Sequence, residues 1–427
     1  MTREPSQGGP PPDHVPRERL VLRDARMRGV AAPTDIAIED GKVVAIGPGL
    51  AIGPAGRAID VGGRLVTPSF VNPHLHLCKV WTGSLADASA QAGYHGAGMA
   101  NARSAIEIAA RIKTRYAASW IAANAEKALA LAALHGNLHV RAFADVDAKA
   151  GLEAVKALVA VREALRGTVT VQVVAFPQDG LLREPGALEL MRESMRLGAD
   201  VVGGIPWIEH TDADAAEHVR LCFDLACEFD ADVSMLLDDA GDPGLRTVEK
   251  MAIETLRRER AGRALAHHCR AMALYPTPYL ERLAGLLRRA GVAVVSDPHT
   301  GPLHARVRDL LARGVTVCLG QDDISDAYYT FGRNNMLEVA FLAAHLLWMS
   351  TPADLERLYD MITVDAARAI GLADHAIAAG APANLVVLDA PNVLEALRSH
   401  AAPLHVIADG RLLDTAALRA RAAAPVQ

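Results

Sequence analysis

Two histidines one residue apart, His74 and His76 in VNPHLHL, are the side chains of this chain best placed for chemistry. Side chains alternate along a strand, so residues i and i+2 share one face. Two imidazoles on one face can hold a single ion, with Zn–N bonds of about 2.0–2.1 Å. The competing reading is a pair of buried histidines bonded to backbone. Asp322 follows the apolar run VTVCLGQ. A carboxylate there can ligate the same ion and accept a proton from water, or it can cap a helix. Its neighbour Asp323 is then left to cap or to bond a substrate. His268 closes RALAHH and is a candidate to bond substrate or the attacking water. Its neighbour His267 is expected on the opposite face, so that one enters the interior and the other packs outward. Gln178 in VVAFPQDG offers a donor and an acceptor, suited to the –NH–C=O edge of a heterocycle. Trp207, after Gly204-Ile205-Pro206, can stack on a flat ring or simply pack. Cys78 shares the alternation of His74 and His76, although a free cysteine more often acts as an inert small hydrophobe.

These residues sit at the ends of short apolar runs, and the runs recur. VNPHLHL, LHVRAFADV, VTVQVVAF, ADVVGGIP, ADVSMLL, RALAHH, VAVVSD and VTVCLG each precede helical periodicity of the kind seen in PYLERLAGLLRRAG. Eight βα units over roughly 300 residues predict an α/β fold, a (β/α)8 TIM-type barrel of parallel strands. Chemistry in that architecture sits at the C-terminal ends of the strands, where the polar residues above fall. A doubly wound sheet would need a Gly-rich turn after its first strand, and His74-Leu75-His76 occupies that place.

Other strand patterns flank the barrel. LVLRDARM, DIAIEDGKVVAIG and AIDVGGRLVTP precede it, with Asp40-Gly41 predicting a type I′ hairpin turn; NLVVLDA and LHVIADGRLL follow it. They are expected to pair into a small composite β-sandwich of residues 18–66 plus 376–427, around a barrel of residues 67–375. Residues 1–17, rich in Pro and Gly, read as a disordered tail. The Gly- and Ala-rich residues 82–100 read as a lid over the barrel mouth. Val339 to Met349, broken by His345, reads as a buried helix too short to span a bilayer.

With 427 residues, 51% hydrophobic and 22% charged, the chain can build a large core. Its 44 Lys and Arg against 50 Asp and Glu give a net charge of −6, which argues against nucleic acid and against an anionic membrane as partners. Five cysteines, an odd number without a CxxC pair, fit a reducing compartment, and the first residues hold no apolar signal core. The expected location is cytoplasmic.

The stretches TPSFVNPHLHL, VQVVAFPQDG, LGADVVGGIP, AHHCRAM, GQDDISDAYYTFGRNNML and IAAGAPANLVVLD resemble the metal-dependent amidohydrolase superfamily, in its cytosine deaminase-like branch. The similarity runs from about residue 20 to 413. It implies a hydrolase acting on a non-peptide C–N bond of a small heterocycle, with water activated by one divalent metal ion: Zn, Fe or Mn. It implies His74, His76 and Asp322 as metal ligands, with Asp322 also the base. It further implies His268 and a carboxylate on the fifth barrel strand as catalytic groups, Gln178 on the ring edge and Tyr328 over the ring. A homo-oligomer is implied too. Three positions depart from the pattern. The metal-ligating His of the fifth strand falls on Leu236 and the proton-shuttling Glu on Asp239. Phe143 stands where relatives carry His, and Cys78 where they commonly carry Asp. Asp238, two residues beyond Leu236, is a candidate to replace the missing ligand. The departures keep two alternatives open: a different leaving group, such as a thiol or ring-opening amide, or a barrel that binds a heterocycle without catalysis.

Overall fold

A computed structural model of the chain describes residues 19–85, 106–107 and 110–427. The expected tail and most of the expected lid lie outside the described residues.

Eight parallel strands form the central sheet: β6 (Phe70–Leu75), β7 (Asn137–Asp145), β8 (Thr170–Phe176), β9 (Val201–Gly204), β10 (Asp232–Leu237), β11 (Ala264–His268), β12 (Ala293–Ser296) and β13 (Val317–Leu319). They pair in chain order, β6 to β13, each with the next. All eight are the apolar runs read from the sequence. A single parallel bridge, Leu75 to Asp322, brings the last strand's end back to the first and closes the barrel. Helices such as Ala118–Leu134, Asp212–Glu228 and Thr277–Ala290 bury their apolar faces in one large cluster against the outside of the strands. Burial of this kind contributes about 25 cal/mol per Å² of apolar surface and dominates the stability of the barrel. Inside, the fully buried Arg141 fills the end away from the mouth. It donates to Gln172 Oε1 at 2.8 Å and Ser234 Oγ at 2.9 Å, and it faces Asp232 Oδ2 at 3.3 Å.

Two four-stranded sheets flank the barrel. One holds β1 (Leu20–Ala25), β2 (Thr34–Glu39), β3 (Lys42–Gly47) and β4 (Arg57–Asp60) in the order β3-β2-β1-β4. The other holds β5 (Val66–Pro68), β14 (Leu385–Val387), β15 (His405–Ala408) and β16 (Arg411–Leu412) in the order β16-β15-β14-β5. Leu22, Ile36, Ile38 and Val66 from the start of the chain share one apolar cluster with Leu385, Val387 and Ile407 from its end. Asp40 and Gly41 both have positive φ, 50° and 80°, as a type I′ turn requires. The helix Met336–Leu346 is less buried than the sequence implies: Leu346 is 50% exposed, and Trp348 just beyond it 82%. Its apolar run is read by helical geometry, which turns part of it outward. Among the described residues, no helix is long and apolar enough to cross a membrane.

Gly136 joins the helix Ala118–Leu134 to β7 at φ +74°, and its carbonyl accepts the amide of Phe70 at 2.8 Å. A Cβ here would stand 2.4 Å from Val386 Cγ1, on the sandwich strand β14. Gly136→Ala is therefore expected to destabilise the fold by about 2 kcal/mol or more, read as a lowered urea midpoint.

Candidate functional site

The barrel closure builds the centre of the site. The Asp322 amide donates to His74 O at 2.9 Å, and the His76 amide donates to Asp322 O at 2.8 Å. These bonds lay the aspartate across the two histidines. Asp322 adopts φ +69°, a left-handed conformation that Asp tolerates better than most residues. Gly320 permits the approach, because a Cβ there would lie 2.7 Å from His74 Cβ. As a result Asp322 Oδ1 stands 3.0 Å from His74 Nε2 and 3.7 Å from His76 Nε2.

His268 completes the group. One ligand atom from each of His74, His76, His268 and Asp322 lies within 4.8 Å of the others, and all four side chains are buried. The expectation that His267 and His268 face opposite ways is corrected. His268 has φ +64° and Cys269 φ +51°, so the strand alternation stops there. His267 still points inward, with its ring centroid 4.6 Å from that of His74 and 5.0 Å from Phe143. His268 points inward as well, 4.9 Å from His74, and its Nδ1 bonds Asp297 Oδ2 at 2.8 Å. That bond turns Nε2 toward the cavity.

Burial and neighbouring charge set the protonation states. Burial lowers His74 and, more strongly, His76, so both imidazoles are neutral near pH 7. Burial would raise Asp322, but His268 and His74 outweigh it and hold the carboxyl well below its usual range. Burial would lower His268, yet Asp239 and Asp297 carry it up to about 9. Burial raises Asp239 despite its Arg270 partner, and it raises Asp323 with help from Asp322 and Asp326.

The cavity has about 380 Å³ of empty space, part of it open to solvent. Gln178, Asp239, His268, Asp322, Asp323 and Tyr328, all singled out from the sequence, line it together with His76. His74 lies just behind, fully buried. Leu236 lines the cavity and confirms that β10 contributes no ligand there. Trp207 does not line it. The indole belongs to an apolar cluster with Phe143, Phe176, Ile205 and Leu236, and Ile205 takes its place on the wall. Asp238 does not replace the missing ligand. Its carboxylate accepts from the amide and hydroxyl of Thr247, the amide of Val248 and the Tyr275 hydroxyl, and so caps the helix Thr247–Arg257. Cys78 is also turned away, because the chain enters a 3-10 turn, Leu77–Lys79, directly after His76. Its thiol accepts from the Asp145 amide at 3.4 Å, and burial raises it far from the thiolate form.

The same turn brings Lys79 into the cavity, a residue the sequence left without a role. Its Nζ donates to Gln178 Oε1 at 2.9 Å and lies 4.6 Å from the Tyr328 ring centroid. With its oxygen engaged, Gln178 keeps its NH₂ to offer a ligand. Arg270 and Asp297 were missed as well. Arg270 Nη1 donates to Asp239 Oδ1 at 2.5 Å and Nη2 to Asp297 Oδ2 at 3.1 Å. The available signal was adjacency: Lys79 follows the His pair by three residues, and Arg270 follows His268 by two.

The residues fit a divalent ion. His74 and His76 are neutral and Asp322 is ionised, the states that ligation demands. Each of the two histidines also has a buried Nδ1 with no hydrogen-bond partner. Nitrogen and carboxylate donors of this kind suit zinc, iron or manganese.

The amidohydrolase family profile matches residues 57–414. The N-isopropylammelide isopropyl amidohydrolase of Pseudomonas sp. (strain ADP) is 28% identical over 396 residues, 92% of this chain and 96% of that protein. The 5-methylcytosine deaminase of Klebsiella pneumoniae, solved with 5-fluorocytosine, superposes with a TM-score of 0.84 at 32% identity, covering 92% of this chain and 97% of that one. The N-isopropylammelide isopropylaminohydrolase of Burkholderia multivorans superposes with a TM-score of 0.82 at 26% identity, covering 93% and 98%.

Two substitutions separate ligand from scaffold. His74→Ala is expected to lower zinc affinity by about 10–100-fold or more, measured by titration of chelator-stripped protein. Asp238→Ala should retain zinc but lose about 2 kcal/mol or more of stability, through the lost cap and Tyr275 bond.

Proposed function

The chain belongs to the amidohydrolase family, and from that premise we propose that it hydrolyses an exocyclic C–N bond of a small planar heterocycle, a pyrimidine-like or triazine-like ring, and releases ammonia or an amine. It is an enzyme of the kind that acts on non-peptide C–N bonds. The observation that carries the finer reading is the meeting of His74, His76, Asp322 and His268 beside a cavity lined by Gln178 and Tyr328. Relatives named for deamination of 5-methylcytosine and for hydrolysis of N-isopropylammelide support it.

A divalent ion held by His74, His76 and Asp322 would supply the Lewis acidity that makes water a nucleophile near neutral pH. The ionised Asp322 carboxylate accepts the proton of the attacking water. His268 is protonated near neutral pH, and Asp297 aims its Nε2–H into the cavity, where it donates to the oxygen that gains charge. Asp239 is buried with a raised affinity for protons, and its Oδ2 lies 4.0 Å from His268 Nε2. It delivers a proton to the ring nitrogen or the leaving amine, while Arg270 holds its other oxygen. The Gln178 NH₂, set by Lys79, bonds an acceptor on the ring. Tyr328 packs over the ring face, and Asp323 bonds its edge. Ile106, Ile205 and Leu236 exclude water from the opposite wall. The same reading places the enzyme in the cytoplasm, in keeping with its five free cysteines, four of them buried.

Metal-loaded protein incubated with aminopyrimidines and N-alkylaminotriazines is expected to release ammonia or alkylamine. Asp322→Asn should lower that rate by at least about 10²-fold with its circular dichroism unchanged. Full turnover in this variant, or no amine from any ring, would overturn the proposal.

A further inference from the structure

Two fully buried polar side chains outside the reacting group connect two walls of the cavity. Glu209 stands just after the 3-10 turn Pro206–Ile208, and His218 lies on the helix Asp212–Glu228. Both side chains have no solvent exposure, and His218 Nδ1 stands 2.7 Å from Glu209 Oε1. His218 Nε2 accepts the Ile205 amide at 3.1 Å, so Nδ1 carries the proton and donates it to the carboxylate. Glu209 meanwhile accepts three successive backbone amides: Leu181 at 2.7 Å, Leu182 at 3.1 Å and Arg183 at 3.1 Å. The loop bearing those amides begins at Gln178. Arg183 closes the circuit by donating from Nη1 to Ile208 O at 3.0 Å.

Two glycines make room for the pair. A Cβ on Gly204 would lie 3.1 Å from His218 Nε2. Gly180, at φ +103°, would bring a Cβ to 3.2 Å from Glu209 Oε1. The Gln178 loop is gripped on its other side too, where Asp179 meets Lys113 at 2.6 Å and Lys149 at 2.8 Å.

A buried carboxylate is costly unless several donors satisfy it. Here at least four donors do so, and three of them belong to a loop whose backbone has no sheet partner. We infer that Glu209 and His218 are positioning residues, which hold Gln178 and Ile205 at a set separation across the cavity and thereby fix which ring fits between them. The inference rests on the heterocycle reading for its link to substrate, and on the hydrogen bonds alone for its link to the loop.

Glu209→Gln keeps the side-chain shape but presents an NH₂ to donors that need an acceptor. Charge-assisted bonds of this kind are stronger than neutral ones. In the metal-loaded full chain, amide hydrogen exchange over residues 178–183 is expected to quicken by about tenfold or more. Zinc stoichiometry and exchange over the helix Thr277–Ala290 should be unchanged. With the ring that wild type turns over, KM should rise by about tenfold while kcat stays within about twofold. His218→Asn, which breaks the link to Ile205, should give the same pattern more weakly and serves if Glu209→Gln does not fold. Unchanged exchange over 178–183 in the folded variant would overturn the inference, as would a loss confined to kcat. If wild type releases no amine from any ring, the heterocycle reading fails, and the exchange result still decides whether the clamp exists.

Discussion

The site depends on how the barrel closes. Two backbone hydrogen bonds between residues 74, 76 and 322 bring together groups 248 positions apart in the chain. They join the chain at the ends of the first and last strands, so they form only once the strands between have closed the barrel. The carboxylate is thereby delivered to the two imidazoles by the fold's own seam rather than by a flexible loop. Asp322 holds a positive φ to meet it, and Asp238 and His268 do the same at the ends of β10 and β11. A left-handed conformation in a non-glycine residue persists only where the surroundings hold it; it also occurs at turns such as Asp40 and Asp230, and at Asp322 the closing hydrogen bonds hold it.

Charge around that seam is nearly balanced. Asp239, Asp297 and Asp322 face Arg270 and His268, and Lys79 lies near Asp323 and Asp326. Apolar residues of similar volume would avoid the desolvation that buried ions suffer. The arrangement instead keeps different groups in different protonation states within a few ångströms: neutral His74 and His76, ionised Asp322, cationic His268. Such separation is what acid and base steps in one cavity require.

Leu236 alters the balance on one side. It shares an apolar cluster with Phe143, Ile205 and Trp207, so β10 presents a hydrocarbon wall where the related pattern carries an imidazole. The candidate ligands come from the two ends of the barrel sheet, and the same cavity is lined by the apolar Ile106, Ile205 and Leu236. In the proposed function a flat ring would meet polar partners at its edge and apolar partners on its flank, which is how small-molecule sites combine orientation with affinity.

The eight strands were legible because each is a short apolar run bounded by turn residues and followed by helical periodicity. The His pair, Gln178 and Asp322 were legible because they end those runs. Asp238 and the His267–His268 pair were misread for one reason: the alternation rule was carried through the strand ends, where positive φ redirects the side chain. Trp207 was misplaced because composition cannot tell an aromatic on a wall from one behind it. The sequence alone determined the order of elements and the residue types available at the barrel mouth, since periodicity and chemistry are local properties. Only the tertiary structure decided which of them meet. Proximity between Asp322 and His74, or among Glu209, His218 and the Gln178 loop, comes from strand closure and helix packing across tens to hundreds of residues, and no local pattern encodes it.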